Sequence, residues 1–191
     1  MCQPLTGNHY HGGMAETRWL DPLESRAWRS WLAAGDLMRA QMGRDLGQDN
    51  GLSEADYVVL VYLSETPGHR IRMSDLAAAL RWSKSRLSHQ VARMETRGLV
   101  TRAECPSDAR GSFAVLTERG MAEIERAAPH HVEGVRRNFI DLLTAEQLAA
   151  LSEISEVVIN HLLSLPGAPV STAGLPCPGA TPPAGEGKLV G

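Results

Sequence analysis

Apolar residues recur along the middle of the chain at intervals of three and four, the spacing of helices that bury one face. The first such pattern covers residues 22–46. The next begins after Ser53 and is apolar on nearly every side, which predicts a buried helix. Ser53 with Asp56 three positions later is a capping pattern for its first turn. A short strand at 70–72 and a short helix at 73–80 are predicted to follow.

The next predicted helix, residues 83–97, combines an apolar stripe with a basic face. Leu87, Val91 and Met94 fall at the helical spacing and form the stripe. Gly98 is a suitable residue to end the helix. The polar side chains predicted to lie off the stripe, toward water or DNA, are Lys84, Arg86, His89, Gln90 and Arg93.

The remaining pattern predicts a hairpin and two more helices. Strand-like runs at 99–104 and 112–116 flank a turn-rich tip. A helix is expected from Thr117, with a kink or break at Pro129, and a last helix from Thr144. The apolar stripe of the last helix is too long for a small core to cover and predicts burial against a partner subunit: Leu148, Leu151, Ile154, Val158 and Leu162.

The order helix, turn, basic helix, hairpin is that of a winged helix-turn-helix, which places one helix in the DNA major groove. The charge distribution agrees: residues 81–116 hold seven Lys/Arg and three Asp/Glu, a net +4 in a chain of net charge −3. A basic patch on an acidic protein favours a phosphate-bearing partner.

Several classes of protein are disfavoured by the composition. No run approaches the roughly 18 apolar residues of a membrane span, and the first residues lack a secretory apolar region. Cys2, Cys105 and Cys177 are odd in number and far apart, which argues against a disulfide framework and a closed zinc site and favours the cytoplasm. Nucleophile-elbow, P-loop, zinc-protease and dinucleotide motifs are missing from the sequence, so neither an enzyme nor a cofactor is expected.

Four segments in order resemble the MarR family of transcriptional regulators, in its actinobacterial type. They are LSEADYVVLVYL (52–63), MSDLAAAL (73–80), SKSRLSHQVARMETRGLVTR (83–102) and DARGSFAVLTERG (108–120). The resemblance covers about residues 20–165. It implies a homodimer that binds a palindromic operator on double-stranded DNA, usually as a repressor, and is often released by a small aromatic ligand.

With this resemblance, the predicted fold is mainly α with a small β-wing, in which N- and C-terminal helices form a dimerisation region. The expected segments are a disordered N-terminus (1–18), a dimerisation helix (19–50), the winged helix-turn-helix (51–116), two further dimerisation helices (117–165) and a disordered Pro/Gly-rich tail (166–191).

The recognition helix supplies most of the DNA-contact candidates. Arg86 and Gln90 have side chains suited to guanine and adenine, and Lys84 and Arg93 suit phosphates. The resemblance implies that the wing residue Arg110 enters the minor groove. The full predicted set is Lys84, Ser85, Arg86, Ser88, His89, Gln90, Arg93, Asp108, Arg110 and Gly111. A solvated basic face, with Gly111 serving turn geometry, is the competing explanation.

Other candidates concern regulation. A ligand site is predicted at Trp28, Trp31, Tyr57, Tyr62 and His131, with packing in the core and dimer interface as the alternative. Cys105 beside Arg102 could sense oxidants, or be an inert strand cysteine. Metal or pH sensing is a further alternative at His130 and His131, and at Cys2, His9 and His11. An architectural DNA-binding protein without an effector is the remaining alternative.

Overall fold

A computed structural model describes residues 17–105 and 108–166, with the backbone alone for residues 105 and 108–110. The helices are α1 (Pro22–Asn50), α2 (Glu54–Glu65), α3 (Met73–Ala79), α4 (Lys84–Thr96), α5 (Glu118–Asn138) and α6 (Ala145–Ser164). The strands are β1 (Arg70–Arg72), β2 (Val100–Cys105) and β3 (Asp108–Leu116). This confirms the predicted mainly helical fold with a small sheet.

The chain divides into two units, Met1–Leu37 and Met38–Gly191, with the boundary inside α1. In the first unit, the Asp21 carboxylate accepts hydrogen bonds from the backbone N–H groups of Leu23 and Glu24 at 2.7 and 2.8 Å, which begins α1. Most large apolar side chains of its described part are exposed: Trp19, Leu20, Leu23, Trp28, Trp31, Leu32 and Leu37. These residues present apolar surface to solvent in the single chain.

The second unit is built around α2, as its apolar sequence predicts. Val59, Leu60 and Leu63 are fully buried. The predicted capping box is present: the backbone N–H of Asp56 donates to Ser53 Oγ at 3.1 Å, and Ser53 N–H donates to the Asp56 carboxylate at 2.9 Å. Two otherwise unpaired N–H groups at the helix start are satisfied in this way.

A tight turn joins α3 to α4. Arg81 has a φ of 55°, a left-handed conformation that is uncommon for a residue with a side chain. The backbone N–H of the next residue, Trp82, donates to the Ala77 carbonyl at 2.9 Å. Ser83 then caps α4 by accepting from Arg86 N–H at 3.2 Å. This turn fixes the direction in which α4 leaves the core.

The sheet is antiparallel, with β3 between β1 and β2. Arg72 pairs with Phe113 in one ladder and Ala103 pairs with Phe113 in the other. The strand β3 begins at Asp108, four residues before the predicted 112, because hairpin pairing with β2 extends into the sequence interpreted as a turn. The irregular register between Glu104 and Cys105 marks the end of the regular ladder.

The start of α5 is pressed against the backbone of the segment that joins α4 to β2. Thr117 Oγ1 accepts from Gly120 N–H at 2.9 Å and donates to the Gly98 carbonyl at 2.7 Å. A Cβ atom on Gly120 would lie 2.0 Å from the Leu99 carbonyl oxygen. Only a glycine can therefore occupy this position, where α5 approaches the Leu99 carbonyl closely.

Two features of the helices differ from the sequence predictions. The first helix continues to Asn50, four residues beyond residue 46. Helix α5 is unbroken through Pro129, so the predicted break is wrong; Pro129 is exposed, and water can reach the carbonyl that loses its N–H partner. The disorder predicted for 1–18 and 166–191 falls, apart from residues 17, 18 and 166, outside the described residues.

Candidate nucleic-acid interface

Helix α4 presents a polar, cationic face to solvent. Its opposite side is anchored in the core by Leu87, Val91 and Met94, none more than 1% exposed. Five of the seven DNA contacts predicted in this helix are exposed: Lys84, Ser85, Arg86, His89 and Arg93. The capped, core-anchored helix therefore holds this surface in a fixed orientation.

Gln90 does not belong to this face, and its predicted position toward DNA is wrong. It is 2% exposed, its Nε2 donates to Asp56 Oδ1 at 2.6 Å, and its Oε1 accepts from Arg93. The reason is its spacing, three residues after Leu87 and four before Met94, which places it on the buried side. Its amide is tolerated there because both ends have partners.

Arg86 stacks on an aromatic ring next to the helix start. Its guanidinium carbon lies 4.3 Å from the centroid of the Trp82 ring, a cation–π distance. Trp82 is half-buried and packs against the core in the turn between α3 and α4.

A concave cleft of about 350 Å³ separates the start of α4 from the sheet. Three of its lining residues are cationic and none is acidic. The lining is Arg72, Met73, Ser74, Lys84, Leu87, Ser88, Arg102, Gly111 and Ser112. Lys84, Ser88 and Gly111 were predicted; Arg72, Ser74, Arg102 and Ser112 were missed, since arginines in strands give no distinctive pattern before the sheet pairing is known.

Arg102 links the recognition helix to the hairpin. It donates to the Ser88 carbonyl at 2.8 Å, and its Nε lies 3.2 Å from the Glu95 carboxylate. Ser88 is half-buried beside this contact. The arginine therefore fixes β2 against α4 while contributing positive charge to the cleft.

The wing supplies less of the described site. Asp108 and Arg110 lie in β3 and not in a turn. The side chains of both residues, and that of Cys105, lie outside the part of the chain that the structure describes. Gly111 is half-buried and lines the cleft.

The predicted ligand residues are divided between the two units. Tyr57 is 3% exposed and its ring lies 4.4 Å from that of His131. Tyr62 is buried and its hydroxyl donates to the Ala79 carbonyl at 3.4 Å, which favours the alternative of packing in the core. Trp28 and Trp31 belong to the first unit, where they are 55% and 49% exposed.

Burial changes the acid–base properties of the stacked pair. It raises the pKa of Tyr57 to about 12, and the negative charge of Glu65 acts in the same direction. Burial also lowers the pKa of His131, although the Asp45 carboxylate opposes the shift. Tyr57 is thus a neutral phenol at ordinary pH, and the neutral form of His131 is favoured.

The described ranges hold neither a cluster of metal ligands nor a membrane-spanning helix. No group of three or more His, Cys, Asp or Glu among those residues could hold a metal ion, and the alternative site at Cys2, His9 and His11 lies outside them. None of the described helices is both long and apolar enough to cross a membrane.

Comparison with known proteins gives the family. The MarR family profile matches residues 50–111. Transcriptional regulator HosA of Escherichia coli O111:H- is 30% identical over 109 residues, which cover 57% of this chain and 78% of that protein.

Two solved structures from Streptomyces coelicolor are more similar. AbsC, a MarR family transcriptional regulator, is 51% identical, covers 78% of this chain and 100% of its own, and superposes with a TM-score of 0.73. Sco3205, a MarR family transcriptional regulator solved in complex with DNA, is 43% identical, covers 81% and 97%, and has a TM-score of 0.75. All three relatives are transcriptional regulators. This chain therefore belongs to the MarR family and is a DNA-binding transcriptional regulator.

Proposed function

We propose that this regulator is a homodimeric repressor that binds a palindromic operator through α4 and is released by a small ligand. The observation that carries the proposal is the exposed cationic face of α4 beside a cleft lined by Arg72, Lys84 and Arg102. A phosphate backbone fits such a cleft when the helix enters the major groove. The related Sco3205 was solved in complex with DNA, which supports DNA as the partner of this chain.

Each side chain of the interface has a proposed role that follows from its chemistry. Arg86 reads a guanine edge, for which a guanidinium offers paired donors, with Ser85 and His89 beside it. Lys84 and Arg93 bind phosphates as positive charges. In the wing, Arg110 enters the narrow minor groove, where negative potential is concentrated, and Asp108 orients it.

The homodimer is supported by apolar surface that a single chain leaves exposed. On α6, Ile154, Val158 and Leu162 are 57%, 46% and 52% exposed and share one face. Exposed apolar stripes of this length mark protein interfaces. A second copy supplies an equivalent stripe, and the two-fold symmetry of such a dimer calls for a palindromic operator.

The ligand is proposed to be a small aromatic acid that shifts the protein toward a form that does not bind DNA. The Tyr57 hydroxyl is buried without a hydrogen-bond partner in the described part of the chain, beside His131. A ligand that supplies this partner stabilises whichever conformation binds it better, and DNA affinity falls by that difference.

The proposal is tested by operator affinity in two matched variants. Arg86→Ala removes the proposed base-reading group, whereas Arg119→Ala removes an exposed arginine at the start of α5. Titration of labelled operator should show a large loss for the first variant and little change for the second. Equal affinity of Arg86→Ala and the natural protein would refute the assignment of α4 residues to the bases.

Two alternatives make different predictions. A redox repressor acting through Cys105 loses DNA binding on treatment with peroxide and recovers it with a thiol. An architectural protein binds operator and unrelated DNA equally well.

A further inference from the structure

We infer that Trp82 is a specificity-determining residue that positions the Arg86 guanidinium for a base edge. The inference rests on the proposed role of Arg86 in reading the operator. Its structural basis is the 4.3 Å separation between the Arg86 guanidinium carbon and the Trp82 ring centroid. Trp82 acts through Arg86 and does not itself contact DNA in this account.

The Trp82 ring is a fixed platform. The turn before it, with Arg81 in the left-handed region, brings the Trp82 N–H to the Ala77 carbonyl at 2.9 Å. The half-buried ring packs against the hydrophobic core. The ring is therefore restrained by the backbone hydrogen bond of Trp82 and by its packing against the core. Arg86 lies against this restrained ring.

Stacking is compatible with base reading because the two interactions use different parts of the guanidinium. The guanidinium carbon lies over the face of the Trp82 ring, whereas a guanine is read by two N–H donors on the edge of the guanidinium. Within the described part of the chain, the Arg86 guanidinium has neither a hydrogen bond nor an ion pair. Its edge donors therefore remain available while its face is held.

Neighbouring arginines are held in a different manner. Arg93 bonds to Gln90, Arg97 to Asp56 and Arg102 to Glu95. Each of these contacts occupies edge donors that a base would need. Ring stacking restrains Arg86 without that loss, and less side-chain freedom remains to be lost when DNA binds.

The first test compares Trp82→Leu, which keeps an apolar side chain, with Trp82→Phe, which keeps a smaller ring. Loss of a cation–π contact predicts about tenfold weaker operator binding for Trp82→Leu and a smaller loss for Trp82→Phe. Affinity for unrelated DNA and the salt dependence of operator binding should stay unchanged, because no phosphate contact is removed. Thermal unfolding and sedimentation are the controls that check whether both variants are folded to the same extent as the natural protein.

The second test uses operators with one base pair changed at a time, and the double variant Trp82→Leu, Arg86→Ala. Discrimination should weaken at the same base pair in Trp82→Leu and in Arg86→Ala. Trp82→Leu should have no further effect once Arg86 is absent. An unchanged pattern of discrimination, or a full additional loss in the double variant, would overturn the inference and make Trp82 a purely structural residue.

Failure of the proposed function gives a different result. If Arg86→Ala binds the operator normally, the base-reading role of Arg86 is refuted and the inference falls with it. If Arg86→Ala binds poorly while Trp82→Leu keeps full discrimination, only the positioning role is refuted.

Discussion

Gln90 in the recognition helix donates a 2.6 Å hydrogen bond to the carboxylate of Asp56 at the start of α2. The same carboxylate lies 2.7 Å from Arg97 and caps its own helix through Ser53. Arg97 also donates to the Gly51 carbonyl at 2.9 Å, just beyond the end of α1. One buried carboxylate thus connects the recognition helix to the loop between α1 and α2.

Asp56→Ala should destabilise the protein strongly, because it leaves Gln90 and Arg97 without their partner and removes a cap. We expect a loss of about 2–4 kcal/mol in the free energy of unfolding, discounted for the partial exposure of Arg97. Urea denaturation at fixed protein concentration measures it. Glu54→Ala, which removes an exposed acid from the same turn, should change stability by less than about 1 kcal/mol; equal losses in both variants would contradict this account.

Gly120→Ala should destabilise although alanine is the better helix former. A Cβ atom would meet the Leu99 carbonyl oxygen at 2.0 Å, and relieving this overlap should cost about 3 kcal/mol. The control is Gly47→Ala in α1, where a Cβ atom meets nothing within 4 Å and a gain of about 0.5–1 kcal/mol is expected. The midpoint of thermal unfolding should shift in opposite directions for the two variants. A stable Gly120→Ala would show that α5 can move away from the Leu99 carbonyl.

Stability should fall as pH drops below the ordinary His131 pKa of 6.5. Burial lowers the pKa of folded His131, so the unfolded chain binds more protons between that lowered pKa and 6.5. The contribution is therefore complete above pH 6.5 and is lost as pH falls toward the folded pKa. His131→Phe should reduce the difference in urea midpoint between pH 7.5 and 5.5, whereas His130→Phe, at an exposed neighbour, should retain it. An unaltered acid sensitivity in His131→Phe would refute the assignment.

Val158→Glu should dissociate the proposed dimer by placing a charge in the apolar stripe of α6. Sedimentation velocity at micromolar concentration should show a monomer for this variant. Asn160→Glu adds the same charge at an exposed position away from the stripe and should leave the dimer intact. A dimeric Val158→Glu would mean that this face is not the interface.

Lys84→Ala and Arg86→Ala should weaken operator binding in different ways. Loss of a phosphate contact at Lys84 should lower the salt slope of log K by about 1 and affect all DNA alike. Loss of a base contact at Arg86 should weaken operator binding roughly 10- to 100-fold and relax its specificity. Fluorescence anisotropy with operator and unrelated DNA over a salt series separates the two; identical changes in both variants would count against the assigned roles.

Much of this fold follows from local signals in the sequence. The capping box at Ser53 and the helix end at Gly98 were predicted and confirmed, because each depends on residues only a few positions apart. The three- and four-residue spacing of the apolar stripe in α4, applied strictly, would also have placed Gln90 on the buried side.

The missed features depend on contacts between distant parts of the chain. Asp56 and Gln90 are 34 residues apart, and nothing local indicates that they meet. Arg72 and Arg102 reach the cleft only because β1 and β2 both pair with β3. Such sites require the folded arrangement before their residues can be recognised.

The most direct test of the central claim is a footprint of the purified protein on DNA upstream of its own gene, with affinity followed against salt and against unrelated DNA. We expect protection of a palindromic site and operator binding much tighter than binding to unrelated DNA. Operator affinity should fall steeply with salt because of the phosphate contacts. Equal affinity for all DNA, or no protected site, would contradict a role as an operator-specific repressor.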